Sequence, residues 1–93
     1  MAWTWDASKA ERNYAKHGVR FELAELVFDD PMHISEPDLH QDGDRWRTMG
    51  MVGYATLLVV HTLIEPDLDE GRIISARKAE PHERQQYEKG YFS

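Results

Sequence analysis

His61, Arg77, Arg45, Lys16 and His17 are the residues whose types and positions suit proton transfer and phosphate binding. His61 follows the apolar run Tyr54 to Val60. An imidazole with an unperturbed pKa near 6.5 takes up or releases a proton around neutral pH. Arg45 and Arg77 stand near the ends of two further stretches with strand character, and a guanidinium offers a planar fork of donors that matches phosphate oxygens. Three strands ending in Arg45, His61 and Arg77 would clamp a phosphate and move a proton without a metal. Plainer readings compete. An arginine at a strand end is commonly a solvated rim residue, and a histidine in an apolar strand is commonly a hydrogen-bonded core residue. Lys16 and His17 fall in the last turn of an expected helix, where a cation is worth about 0.3–1 kcal/mol against the helix dipole. Stability comes ahead of catalysis there.

Other chemistries find little support. There is no cysteine, so a disulfide framework, a thiolate nucleophile and a cysteine-ligated metal are excluded. Histidines 17, 33, 40, 61 and 82 lack the short helical spacings of a zinc site. Asp38, His40, Asp42 and Gly43 imitate the opening of a calcium loop, but Met49 stands where the closing bidentate acid belongs, which leaves a solvated turn. No nucleophile elbow, phosphate-cradling glycine loop or dinucleotide fingerprint occurs. Neither a metal nor a cofactor is expected. Trp3 and Trp5 could stack on nucleic-acid bases, but aromatic residues of so small a chain are expected to fill its core.

The elements that must position these residues follow from the pattern. AWTWD alternates polar and aromatic side chains and reads as a short strand. Ser8 with Glu11 forms a capping-box signature and Gly18 suits a left-handed C-cap, which predicts a helix through Lys16 and His17. From Phe21 to Phe28 the apolar residues predict a second helix, stopped by Asp29, Asp30 and Pro31. MHISEPDL then reads as an edge strand, DRWRTMGMVG as an alternating strand and YATLLVVHTLI as a central one. RIISARKA reads as the last strand, and Pro81 opens a C-terminal helix. The expected fold is therefore α+β, with an antiparallel sheet of three to five strands, two N-terminal helices and one C-terminal helix. Strict alternation puts His61 on a face with Val59 and Leu57, and Arg77 on a face with Ser75 and Ile73. Arg72 would then point away from Arg77.

Ninety-three residues suit one domain, 1–93, that buries about 60% of its unfolded surface. The apolar run is far too short for a bilayer span and the N-terminus lacks a signal core, so a cytoplasmic protein is the simplest reading. A net charge of -6 argues at first against nucleic acid. However, residues 21–44 hold eight acids and 63–71 hold four more, with no Lys or Arg in either stretch. All 11 bases therefore lie elsewhere, among only five acids, and a local basic face is compatible with the totals. EPDL recurs at Glu36 and Glu65, too short a match to be a structural repeat.

One resemblance spans nearly the whole chain. It rests on Trp5-Asp6, then Lys9, Asn13 and the Lys16-His17-Gly18-Val19 segment, then Phe21, Ala24, Val27, Phe28, Asp30 and Pro31. It continues through Arg45, Trp46 and Gly50, the strand to Thr62, the RIISAR segment from Arg72 to Arg77, and Ala79, Glu83 and Tyr87. This order resembles the BrnT family of type II toxins. The resemblance implies a RelE-like fold and a ribonuclease that arrests translation. A BrnA-type antitoxin would neutralise it in a hetero-oligomer that reaches DNA only through the antitoxin. Cleavage without metal would use a base for the ribose 2′-hydroxyl, cations for the phosphate charge and an acid for the leaving oxygen. His61 is the expected proton carrier, Arg77 and Arg45 the phosphate clamps, with Lys16 and His17 as further candidates. Where the family commonly has a polar turn with an arginine after the central threonine, this chain has Leu63, Ile64 and an acidic connection. The alternative function is a non-catalytic relative that serves as a corepressor with a DNA-binding partner.

Overall fold

Asp6, rather than Ser8, opens the first helix. Its carboxylate accepts from Lys9 N at 3.0 Å, so α1 (Ala7–His17) starts earlier than a Ser8–Glu11 box would place it, and Ser8 lies inside the first turn. Gly18 ends α1 as expected, with φ 72° and its N–H on the Tyr14 carbonyl. The computed structural model describes residues 2–38, 45–62 and 70–92. The calcium-like turn after Asp38 and the acidic connection after Thr62 lie outside the described residues.

The second helical stretch is two elements, α2 (Phe21–Ala24) and a 3-10 helix (Glu25–Asp29). Tightening brings Val27 hard against the sheet: a Cβ added at Gly50 would lie 2.7 Å from the Val27 carbonyl oxygen. Asp30 then ties three elements together. It accepts from Met32 N at 2.9 Å, from Met51 N at 2.8 Å and from the Tyr87 hydroxyl. Burial pushes its carboxyl up, and these three donors more than offset that, leaving it below the usual carboxylate range.

Five strands form one sheet in the order β1-β5-β4-β3-β2, with β1 Ala2–Thr4, β2 Ile34–Pro37, β3 Trp46–Val52, β4 Ala55–His61 and β5 Glu70–Lys78. The expected antiparallel pairing holds from β2 to β5, whereas β1 joins β5 in parallel and makes the sheet mixed. Connectivity permits the parallel pair, since the chain between β1 and β5 is far longer than the crossover that a parallel pair needs. Helix α3 (Pro81–Lys89) follows β5, opened by Pro81 and a reciprocal Glu80–Glu83 capping box.

Helices α1 and α2 cover one face of the sheet over a core of Val19, Phe21, Ala24, Val27, Leu57, Val59, Ile73 and Ala76. Trp3 stacks on Phe28 and Trp5 meets Phe21 edge-on, so both tryptophans serve the fold. Helix α3 covers only part of the other face, over Met49, Leu58 and Ala79.

β1 pairs with only the first residues of β5, which leaves the rest of that edge to be covered by something else. Asn13 of α1 does so. Its Oδ1 accepts from Ala76 N at 3.1 Å, and its Nδ2 donates to Ala76 O at 2.8 Å and to Val19 O at 3.1 Å. One amide thus replaces a ladder rung. We predict that Asn13→Ala lowers stability by about 2–3 kcal/mol, because it strips partners from buried backbone groups. Urea unfolding followed by far-UV circular dichroism would measure the loss.

Candidate active site

The decisive local feature is a β-bulge in β5. Val60 pairs with Ser75 but His61 pairs with Ile73, so one residue, Ile74, is extra. Without it, Arg72 and Arg77, five positions apart, would point to opposite faces. With it, Ile73 and Ala76 both face the helix-side core, and Arg72, Ser75 and Arg77 share the other face. The expected grouping of Arg77 with Ile73 and opposition of Arg72 to Arg77 are therefore corrected by the bulge.

β3 adds to the same face. Arg47 lies across from Val60, which lies across from Ser75, and the neighbouring row is Met49, Leu58 and Arg77. Arg45 continues the β2–β3 ladder, its carbonyl accepting from Asp38 N at 2.9 Å, and alternation places it with Arg47. Four arginines from two strands thus occupy the face that α3 only partly covers.

Two of them are held by carboxylates. Arg77 forms a bidentate pair with Glu83, Nη1 to Oε1 at 2.8 Å and Nη2 to Oε2 at 2.9 Å, and Nη1 also donates to the Lys78 carbonyl. Hydrogen bonding to Glu83 raises the guanidinium pKa further above its already high ordinary value, against burial. Burial pushes Glu83 up, but the bonds from Arg77 and from Glu80 N prevail and hold it below its ordinary value. Arg47 donates from Nε to Glu36 Oε1 at 2.7 Å and from Nη2 to the same oxygen, and its guanidinium lies 5.2 Å from the Phe92 ring centroid. A guanidinium has five N–H donors. Among the described residues, Arg77 keeps two uncommitted and Arg47 keeps three. Arg72 is exposed and has no ion-pair partner among the described residues.

His61 is not part of this surface. It lies on the helix-side face, 4% exposed, edge-on to Trp3 and Phe28 at 5.1 and 5.0 Å. Its Nδ1 lies 2.7 Å from the Thr62 carbonyl, which can only accept, so Nδ1 carries the hydrogen. Nε2 then accepts from the buried Thr48 hydroxyl at 2.7 Å, and Thr48 in turn accepts from Ser35 Oγ at 2.6 Å. Burial lowers the imidazole pKa despite the Thr62 contact. The expected Arg45–His61–Arg77 clamp is not assembled: Arg77 pairs with Leu58, three positions from His61 and facing the opposite way.

Lys16 and His17 end α1 beside the sheet edge. With Lys9, Arg12 and Asn13 they line an open groove whose far wall is Ile74 and Ser75. Ser75 is thus shared by this groove and the arginine face. Sequence reasoning passed over Arg47, although alternation with Arg45 signalled it. It misplaced Arg72 because nothing in RIISAR announces a bulge. Among the described residues, no group of three or more His, Cys, Asp or Glu side chains could hold a metal ion.

A family model described as the ribonuclease toxin BrnT of type II toxin-antitoxin systems matches residues 5–83. The chain belongs to the BrnT family. The match spans all four arginines, Glu83 and the groove of α1. No curated protein matches the chain. For this BrnT member the family indicates an antitoxin partner, and among the described residues no helix is long and apolar enough to cross a membrane.

The His61 environment sets a pH dependence. Its folded pKa lies below the ordinary 6.5, so the unfolded chain binds more protons just below that pH, and stability falls as pH drops through 6.5 towards the lowered folded value. The depressed carboxylates Asp30 and Glu83 add their own loss only below about pH 4.5. We predict that urea midpoints decline between pH 7 and 5 in the wild type, and that His61→Gln flattens this decline.

Proposed function

We propose that this chain is a metal-independent endoribonuclease toxin whose scissile phosphate sits on the arginine face of the sheet. The observation that carries the reading is the bulge-dependent meeting of Arg72 and Arg77 with Arg45 and Arg47 on one half-open face. A phosphate there would meet the guanidinium of Arg72, which has no ion-pair partner among the described residues, and the remaining donors of Arg47 and Arg77. These cations would stabilise the charge that develops as the 2′-oxygen attacks phosphorus and the bond to the 5′-oxygen breaks. Because carboxylates already orient Arg47 and Arg77, little reorganisation is needed as charge develops.

Proton transfer requires a group that water and RNA can reach. His17 is partly exposed and borders the groove whose other wall is Ser75, so in this reading it takes the place first expected for His61 as the proton carrier, with Lys16 beside it. His61 then positions β3 and β4 through Thr48.

The acids of α2 and the following 3-10 helix, Glu22, Glu25 and Asp29, belong to elements covering the opposite face, so they do not line the proposed RNA surface. They would suit a basic segment of a BrnA-type antitoxin, which would release translation in the cytoplasm by binding the toxin. The pairing of Arg47 and Arg77 with carboxylates favours a second reading, a non-catalytic relative that acts as a corepressor.

Antitoxin-free protein should cleave messenger RNA with EDTA present and arrest growth when expressed alone. Arg72→Ala should lower cleavage by about 100-fold with no change in melting temperature, since that side chain has no hydrogen-bond or ion-pair partner among the described residues. Arg77→Ala should lower both activity and stability, because it strands the nearly buried Glu83 carboxylate. Wild-type protein that neither cleaves RNA nor slows growth would leave the corepressor reading in its place.

A further inference from the structure

The groove between α1 and the edge of β5 lies outside the arginine face, yet three Lys or Arg side chains and a histidine line it. Lys9, Arg12, Lys16 and His17 recur along α1 at helical spacing, and among the described residues no carboxylate lines the groove. Lys16 has no ion-pair partner among the described residues. Arg12 is held only loosely, its Nε lying 3.4 Å from the Ser8 carbonyl. Asn13, at the groove's base, spends its whole amide on Ala76 and Val19, so it seals the edge and leaves the cations above it to solvent.

We propose that this groove is a binding track for the phosphate backbone of single-stranded RNA, carrying the strand away from the arginine face around the edge of β5. The inference rests on the ribonuclease reading and adds a second RNA site to it. Continuity comes from the bulge: Ile74 and Ser75 form the sheet-side wall of the groove, while Ser75 shares the arginine face with Arg72 and Arg77. From Lys9 to Lys16 the helix advances roughly 10 Å at about 1.5 Å per residue. That is the axial length of about three stacked nucleotides at roughly 3.4 Å each. The groove presents cations without an aromatic stacking platform between Lys9 and Lys16, so it would hold phosphates and ignore base identity. RNA long enough to reach past the cleavage site would use it, and a tetranucleotide would not.

Lys9→Gln/Arg12→Gln removes two charges while keeping side-chain length and helix propensity. Binding of a fluorescent 2′-O-methyl 20-nucleotide RNA, which lacks the free 2′-hydroxyl needed for cleavage, would be measured across a salt series. The double variant should bind about 3- to 10-fold more weakly than wild type near 0.1 M salt. Its log–log salt slope should be shallower by about 1.4, since each phosphate that is no longer neutralised lowers the slope by roughly 0.7. Cleavage of a tetranucleotide should remain within twofold, and the charge-preserving Lys9→Arg/Arg12→Lys should bind like wild type. Unchanged affinity and slope in the Gln variant would overturn the track while leaving the ribonuclease reading intact. So would duplex DNA of the same length that depends on the two charges more strongly than the RNA does. Wild-type protein that binds no RNA would overturn both.

Discussion

Strand β5 fits one more residue than β4 between the Val60–Ser75 and His61–Ile73 pairs, and what each face of the sheet displays depends on that extra residue. Side chains along a strand alternate, so a bulge exchanges the faces of everything beyond it. Here the exchange lets Ile73 and Ala76 both reach the core beneath α1 and α2, and it puts Arg72, Ser75 and Arg77 together on the other side. A regular β5 could satisfy the core at one end only by turning an arginine into it at the other. The cost of burying an unpaired guanidinium would make that register untenable.

The two faces then take different work. On the helix side, His61 is neutral and saturated: Thr62 fixes its tautomer, Thr48 fills its second nitrogen, and Trp3 and Phe28 wall it in. A group so placed aligns β3 with β4. On the other side, Arg47 and Arg77 are paired with carboxylates but not enclosed. Glu83 shows how economically this is done, since one carboxylate caps α3 through Glu80 N and grips Arg77, so the helix docks on the strand by the same contact that orients the guanidinium. Surface ion pairs of this kind add little stability, and the Arg77–Glu83 pair matters mainly because Glu83 is nearly out of water.

Much of this was legible in the chain. The run of elements, the core role of the tryptophans, the Gly18 cap and the two-residue period of β3 and β4 follow from local sequence, and strands with strongly apolar faces have little freedom of register. The misplaced features depended on long-range fit. Arg72 and Arg77 could not be assigned to one face, because a bulge is set by how β5 meets both β4 and the core. Asp6 outcompeted Ser8 as the cap because the chain turns out of β1 at that point. His61 looked like a proton carrier by type, and only the surrounding Trp3, Phe28 and Thr48 reveal it as a buried, satisfied residue. The edge-covering role of Asn13, contacting a residue 63 positions away, left no local signal.

The central claim is that RNA lies on the arginine face created by the bulge. It is tested most directly by titrating 15N-labelled protein with 2′-O-methyl RNA while following the arginine Nε–H and tryptophan indole resonances. The account predicts that Arg72 and Arg77 shift together, at RNA concentrations that leave the indoles of Trp3 and Trp5 in place. Shifts at Trp3 and Trp5 with Arg72 and Arg77 unmoved would put the RNA on the other side of the sheet and contradict it.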